Sequence, residues 1–283
     1  MKRRPNLALL GPRLAALKAE WSGQRLDSDP LLFPHRYGSP EDREVVALLA
    51  SALAFGRVAS IKTSLERVVA ALGPSPARFL EAWDGTPLPL LEGFVHRWVR
   101  QPDLEAVLSA IARVRRAHGS LREAFAKGDP GGDDFVLALD SFHALLRAEI
   151  AEPHSHGVRF LLPSPSAGTA CKRAHLFLRW MVRSEDVDLG LFTGGLFTPA
   201  RLLLPLDTHV HRIATYLGLT LRPTADLTAS REATAWLKLI SPEDPVGYDW
   251  ALSRLGILAL CLRGDGRRDC ERCAVRTVCR EAA

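Results

Sequence analysis

Four of the chain's five cysteines lie close together near its C-terminal end. They are Cys261, Cys270, Cys273 and Cys279, in the spacing C-x8-C-x2-C-x5-C. Cysteines grouped in this way constrain a fold, because disulfide bridges or a shared metal centre would tie the segment into one compact loop. The C-terminal segment is therefore the first feature that any fold for this chain must accommodate.

Three kinds of cross-link are compatible with four clustered cysteines. Disulfide bridges are typical of oxidising compartments, whereas the rest of the sequence is typical of a cytoplasmic protein. Zinc is held by four thiolates in a tetrahedron and favours the short C-x2-C knuckle that Cys270 and Cys273 form. A [4Fe–4S] cluster is also held by four thiolates. The spacing alone leaves these alternatives open.

Apolar residues recur with helical spacing along almost the whole chain, and no segment alternates convincingly as a strand would. The pattern therefore predicts an all-α fold. Two stretches rich in Gly and Pro, 160–170 and 183–205, are predicted to be irregular and are long enough to carry function. The predicted helices cover residues 44–55, 58–72, 103–119, 133–150, 172–182, 208–217, 228–240 and 247–260.

Composition and charge limit the classes of function. The chain has 283 residues, 47% of them hydrophobic and 24% charged, which is ordinary for a globular protein. No apolar run is long enough to span a bilayer. The N-terminal segment carries Arg13 and Lys18, so we expect an amphipathic helix there and no signal peptide. The formal net charge of +5 favours a polyanionic partner such as nucleic acid.

The C-terminal cysteines resemble those of the iron–sulfur branch of the helix-hairpin-helix DNA glycosylases, the branch of endonuclease III and the adenine glycosylases. There the spacing is C-x6-C-x2-C-x5-C, so the last three cysteines match and the first gap is two residues longer here. A second stretch, LPLDTHVHRIATYLGL (204–219), is similar to the segment that carries the superfamily's essential aspartate. The resemblance assigns that role to Asp207, which the residues alone predict to be a helix N-cap.

A third stretch, PSAGTACKRAHLFLRWMVR (165–183), resembles the hairpin and the helix that follows it in lyase-type members. The resemblance places Lys172 on the catalytic lysine, Gly168 on the first hairpin glycine and Ala170 on the second. Glycine lets the backbone approach DNA phosphate closely, so Ala170 departs from the pattern. A lysine amine can attack the sugar C1′ and form a Schiff base. The alternative interpretation of Lys172 is a surface lysine on an amphipathic helix.

The segment after Lys172 is longer than in endonuclease III. RWMVR, DVDLG and PLDTH together resemble an uncharacterised bacterial family related to these glycosylases, and more loosely the archaeal 8-oxoguanine glycosylases. This resemblance implies that Trp180 and Asp188 contribute to a base pocket. The alternative for Trp180 is burial in the core, which is the commoner position of an aromatic residue.

Basic residues are expected to contact the phosphate backbone. Two of them follow the first predicted helix, and the others lie in the loop between the first and second C-terminal cysteines, where solvation of a charged loop is the alternative interpretation. These residues are Arg57, Lys62, Arg263, Arg267 and Arg268.

The resemblance implies two helical lobes with Lys172 and Asp207 facing each other across the cleft between them. Residues 44–200 would form a six-helix barrel-like lobe, with a degenerate hairpin near 160–172. Residues 1–43 and 201–283 would form a discontinuous helical lobe that ends in the four-cysteine loop and holds a [4Fe–4S] cluster, with zinc as the alternative.

The function implied is base-excision repair. The chain is expected to be a DNA glycosylase with associated AP lyase activity that flips and removes a damaged base, with oxidised guanine slightly favoured. Its partner would be double-stranded DNA, and we expect a cytoplasmic, nucleoid-associated bacterial monomer. Two other hypotheses remain open: a non-catalytic nucleic-acid-binding protein on the same scaffold, and a zinc-stapled helical interaction protein.

Overall fold

The computed structural model of the chain describes residues 5–23, 26–258, 260–261 and 270–281. Within these ranges the fold is mostly helical, as predicted, with thirteen α-helices and one short β-hairpin. None of these helices is both long and apolar enough to cross a membrane. The helices are α1 Leu7–Trp21, α2 Leu32–His35, α3 Pro40–Ala52, α4 Val58–Leu72, α5 Pro76–Ala82, α6 Gln101–His118, α7 Leu121–Lys127, α8 Val136–Ala148, α9 His156–Leu161, α10 Lys172–Val182, α11 Thr208–Leu217, α12 Leu227–Lys238 and α13 Asp249–Ile257.

The β-hairpin corrects the prediction of an entirely helical chain. Its strands are β1, Val95–His96, and β2, Val99–Arg100, which pair antiparallel. Two-residue strands are too short to show the alternation of apolar and polar residues by which a strand is recognised in a sequence. The hydrophobic periodicity that predicted the helices therefore gave no signal for the hairpin.

Local signals determine where several helices begin. Helices α4, α10 and α11 have the predicted bounds. Helix α3 begins earlier than predicted, because the side chain of Ser39 accepts a hydrogen bond from the amide of Asp42 at 3.1 Å and Pro40 occupies the first turn. It ends at Ala52, so Phe55 lies in the turn that follows the helix.

Helix packing brings the first and last of the described α-helices together. The N-terminal helix α1 buries Leu10, Leu14 and Leu17 on one face, which confirms the predicted amphipathic helix, and it packs against α13. Helix α11 also packs against α13, and α10 packs against α3. One cluster of buried apolar side chains extends from α1 to Val275. The division into lobes 44–200 and 1–43 with 201–283 stays a prediction.

The irregular stretch predicted at 183–205 folds back along α10. The amides of Leu189 and Gly190 donate to the carbonyl of Trp180 at 2.8 and 3.2 Å, and the amide of Phe192 donates to the carbonyl of Met181 at 2.7 Å. These bonds hold the segment against the C-terminal end of the helix.

Asp188, in this segment, is the centre of a buried ionic network. Its carboxylate accepts from Arg179 at 2.9 Å and from Arg183, and all three side chains are buried. Arg179 also pairs with Asp249 on α13, and Arg183 pairs with Asp244 at 2.9 Å. Buried charges are tolerated when they are paired and hydrogen-bonded in this way. The network therefore ties α10 to α13 as well as to its own following loop.

We expect Asp188→Ala to lower the free energy of unfolding by about 3–5 kcal/mol, because it leaves two buried guanidinium groups without their shared carboxylate. The matched control is Glu66→Ala, which breaks an exposed ion pair with Arg36 outside the network and should cost less than about 1 kcal/mol. Urea denaturation measures both. Equal losses in the two variants would show that the network does not stabilise the fold.

Candidate active site

Lys172 and Asp207 are distant in the sequence and adjacent in the structure. Lys172 Nζ lies 3.4 Å from Asp207 Oδ2, and the two side chains are 30% and 22% exposed. Lys172 is the first residue of α10, and Asp207 immediately precedes α11. Two helices that begin at the same place thus bring together the two residues to which catalytic roles were assigned from the sequence.

The two carboxylate oxygens of Asp207 have different partners. Oδ1 accepts from the backbone amides of His209 and Val210 at 2.9 and 2.8 Å, which confirms the predicted N-cap. Oδ2 is the oxygen that faces Lys172. The cap therefore fixes the orientation of the carboxylate and leaves Oδ2 directed toward Lys172.

The environment of Asp207 favours its ionised form. Burial acts to raise the pKa of Asp207, but the positive charge of Lys172 and the amides of Val210 and His209 outweigh it, so that the pKa is lower than usual. Asp207 is thus an anion at neutral pH, held in one position within a partly enclosed site.

The backbone before Lys172 has an unusual conformation. Cys171 has φ of +37°, in the left-handed region that residues other than glycine seldom adopt. Its sulfur lies 2.9 Å from the hydroxyl of Thr169, and burial raises the pKa of the thiol. Cys171 is half-buried, and its raised pKa disfavours a thiolate nucleophile. The left-handed turn determines the direction in which α10 begins.

Gly168 lies in the turn between α9 and α10, with φ of +92°. Its amide donates to the carbonyl of Pro165 at 3.1 Å, and its carbonyl accepts from the amide of Leu227 at 3.0 Å. A Cβ atom added here would meet nothing within 4 Å, so there is space for a side chain. Glycine is favoured because of the positive φ. The backbone at this predicted DNA-binding residue is open on the side where a side chain would project.

The paired residues line a cavity of about 810 Å³, a volume within the range of ligand-binding sites. Its walls come from the turn between α3 and α4 and from α9, α10, α11 and α13. Both α10 and α11 begin at this cavity, so the partial positive charge of two helix N-termini favours an anionic group there.

Cationic side chains border the same cavity. Arg57 and Arg159 line it and are exposed. Lys62, the other predicted phosphate contact on α4, is half-buried, does not line the cavity, and donates to the carbonyl of Asp27 at 3.3 Å. The predicted loop contacts Arg263, Arg267 and Arg268 lie outside the described residues.

Trp180 and Asp188 are placed away from this cavity. Trp180 has no exposed surface and packs in the core, and the carboxylate of Asp188 is occupied by Arg179 and Arg183. Neither side chain can contact a base that is bound in the cavity. Because both side chains are buried, they stabilise the fold and do not make the predicted contribution to a base pocket.

Several cavity residues, Arg159 among them, were missed by the sequence analysis. Phe55 and Phe160 form part of the wall, and Asp249 lies there in the first turn of α13, bonded to Arg179. Burial raises the pKa of Asp249, and the charge of Arg179 opposes that rise without cancelling it. An acidic residue in the first turn of a helix is so common that no sequence signal singled out Asp249.

The four C-terminal cysteines line one small apolar cavity with Ile213 and Leu217 of α11. Its volume is about 30 Å³, which is room for about one water molecule. Burial raises the pKa of Cys273. In the part of the chain that the structure describes, no three His, Cys, Asp or Glu residues form a group that could hold a metal ion.

The sequence-predicted ligands Cys261, Cys270, Cys273 and Cys279 are thus neighbours without the geometry of an assembled site. As a donor set, four thiols around one apolar cavity fit either a [4Fe–4S] cluster or zinc. The segment is also tied to α11, because the amide of Arg280 donates to the carbonyl of Tyr216 at 2.9 Å.

Comparison with known proteins identifies a family. The model of a family described as "Protein of unknown function (DUF2400)" matches residues 29–258. The match includes Lys172 and Asp207 and ends before Cys261. No curated protein and no solved structure matches the chain. The finer resemblance to the helix-hairpin-helix DNA glycosylases stays a prediction.

The charge of Asp207 should make a pH-dependent contribution to stability. Because its pKa is lower in the folded protein than in the unfolded chain, where it is about 3.9, the stabilisation is present above that value. This stabilisation is lost as the pH falls through the pKa that Asp207 has in the folded protein. Asp207→Ala should therefore lower the free energy of unfolding by about 1 kcal/mol at pH 7 and by less in acid, as measured by urea denaturation from pH 2 to 7.

Asp207→Asn is the matched control for this experiment, because Asn is an equally good N-cap without the charge. Its stability relative to Asp207→Ala should not change with pH. If Asp207→Ala lowered the free energy of unfolding by the same amount at every pH, the charge of the carboxylate would contribute nothing to stability beyond the N-cap hydrogen bonds.

Proposed function

This chain belongs to the DUF2400 family, and we propose that it is a DNA base-excision glycosylase with associated AP lyase activity. The observation that carries the proposal is the pairing of Lys172 and Asp207 at 3.4 Å on the wall of a large cavity. The resemblance to lyase-type glycosylases assigns catalytic roles to these same two residues. Their proximity is what a shared site for one nucleotide requires.

Asp207 has the properties of an electrostatic catalyst. Breaking the N-glycosidic bond of a nucleotide develops positive charge on the sugar, as in other glycoside cleavages. A carboxylate that is already ionised and oriented by two backbone amides stabilises such a charge without having to reorganise. In this proposal Oδ2 of Asp207 faces the sugar, while Oδ1 continues to cap α11.

Lys172 is the nucleophile in this proposal. Its ammonium must first lose a proton, which passes to solvent, because the lowered pKa of Asp207 keeps that carboxylate ionised. The amine nitrogen then bonds to C1′ while the base leaves with the electrons of the glycosidic bond. Opening of the sugar ring leaves a Schiff base, and loss of a C2′ proton expels the 3′-phosphate, which is the AP lyase step.

Duplex DNA is the proposed partner. The exposed Arg57 and Arg159 lie beside the cavity, where they can neutralise phosphates and position the strand. The helix N-termini at Lys172 and Thr208 add partial positive charge. The open space beside Gly168, where an added Cβ would meet nothing within 4 Å, allows a DNA strand to approach the hairpin backbone closely.

The four C-terminal cysteines are proposed to hold a [4Fe–4S] cluster, with zinc as the alternative. The group would be structural, tying the segment to α11 and presenting the basic loop to DNA. The resemblance favours the cluster, because three of the four cysteines have its spacing. The short C-x2-C knuckle of Cys270 and Cys273 is the feature that favours zinc.

Metal analysis separates these two possibilities. We expect about four iron atoms per chain, a brown colour and broad visible absorbance in protein purified without oxygen. About one zinc atom in a colourless protein would instead support a tetrahedral site. Cys273→Ser should lower the metal content in either case, and Cys171→Ser, outside the group, should not. Absence of both metals from freshly purified protein would overturn the assignment.

Borohydride trapping tests the proposed catalytic mechanism. The wild-type protein should form a covalent adduct with duplexes that carry an abasic site, 8-oxoguanine, thymine glycol or uracil, and the best-trapped duplex would identify the lesion. Lys172→Ala should abolish trapping, because among the described residues Lys172 is the only lysine that lines the cavity. Lys127→Ala removes an exposed lysine at the end of α7 and should leave trapping unchanged.

Trapping also discriminates against the second candidate, a non-catalytic DNA-binding protein. Ala170, in place of the second hairpin glycine, favours that candidate because it departs from the pattern of the enzymes. The absence of both adduct and base release on every duplex, with tight binding retained, would replace the enzyme by the binding protein.

A further inference from the structure

The β-hairpin presents an exposed tryptophan on a rigid support. Trp98 lies at the tip between β1 and β2, and 39% of its surface is exposed. The preceding strand is anchored by His96, whose ring is buried and bonds to the hydroxyl of Ser64 at 2.8 Å and to the carbonyl of Phe55 at 3.0 Å. An exposed indole in a fixed position suggests a surface built to contact something planar.

The inner side of Trp98 rests on two other rings. Its ring is stacked on Phe55, with centroids 5.5 Å apart and planes 25° apart, and it meets Phe160 edge-on at 4.8 Å. Arg173 lies 3.8 Å from the Phe160 centroid and donates to the carbonyl of Ala52 at 2.6 Å. The three rings therefore form one preorganised cluster, hereafter the aromatic platform (Phe55, Trp98 and Phe160).

The aromatic platform is continuous with the candidate active site. Phe55 and Phe160 line the same cavity as Lys172 and Asp207. A strand bound at Lys172 can therefore reach Trp98 along this wall.

The surroundings of Trp98 are cationic. The guanidinium of Arg97 lies 5.2 Å from its ring centroid, and Arg97, Arg100 and Arg57 are all exposed. Aromatic rings interleaved with arginines are the combination that binds unstacked nucleotides, the rings by stacking on bases and the cations by contacting phosphates. Charge complementarity therefore favours a nucleic-acid strand over an apolar protein surface.

We propose that the aromatic platform is a base-stacking subsite, in which Trp98 stacks on an unpaired nucleobase next to the nucleotide held at Lys172 and Asp207. The proposal rests on the proposed function for the identity of the strand. The subsite would hold open the gap in the duplex that a flipped nucleotide leaves, at the cost of unstacking its neighbour.

The test is binding to a duplex that cannot react. It carries a tetrahydrofuran abasic analogue, which has no aldehyde for a lysine to attack, with 2-aminopurine as the neighbouring base. Trp98→Ala should raise Kd by roughly 10-fold, the effect of losing one stacked base, and should abolish the change in 2-aminopurine fluorescence. Trp98→Phe should keep both within about 3-fold, because a phenyl ring still stacks.

Leu239→Ala is the matched control, since Leu239 is an exposed apolar residue that lies outside the platform and the cavity. It should bind as the wild type does. Thermal melting of each variant shows whether it is folded. If Trp98→Ala does not fold, Trp98→Leu replaces it, because leucine keeps apolar bulk against Phe55 and Phe160 but has no ring to stack on a base; the same loss of binding and fluorescence change is expected.

The outcomes separate this subsite from the proposed enzyme. Unchanged Kd and fluorescence in Trp98→Ala would overturn the subsite, even if borohydride trapping succeeds. Lost stacking in Trp98→Ala without trapping on any lesion would support the subsite on a non-catalytic protein. If the wild-type protein bound no duplex, the subsite would be overturned together with the proposed function.

Discussion

Arg179 makes the interaction on which the arrangement of the site depends. From α10 it reaches both Asp188 in the following loop and Asp249 at the start of α13, and all three side chains are buried. A buried guanidinium is stable only with its charge matched and its donors satisfied. These ion pairs therefore specify the position of α10 relative to α13. Apolar packing alone would specify it less closely, because the hydrophobic effect is not directional.

The pairing of Lys172 with Asp207 follows from that constraint. Lys172 begins the helix that Arg179 holds, and Asp207 caps α11, which packs on α13. The two residues are thus linked through a chain of rigid helices rather than through mobile loops. Sites carried on helices keep their geometry more closely than sites on loops do, which suits a lysine and a carboxylate that would have to act on one sugar.

The proposed enzyme and the proposed stacking subsite use different parts of one surface. Lys172 and Asp207 line the cavity at two helix N-termini, whereas Trp98 lies on the hairpin and contacts Phe55 and Phe160. Phe55 and Phe160 connect the two, since they line the cavity and support Trp98. A nucleotide strand is the ligand that would contact both parts at once, with phosphates toward the arginines and bases toward the rings.

Local features were predictable from the sequence because they depend on residues close together along the chain. The cap at Asp207 and the bounds of α4, α10 and α11 are of this kind, since capping and helical periodicity act within a few residues. The tertiary structure decided which residues are buried. It enclosed Trp180 and Asp188, added Asp249, Phe55 and Phe160 to the cavity, and placed Trp98 against two of these residues, Phe55 and Phe160. Burial and long-range pairing arise from packing between distant segments, which local patterns do not encode.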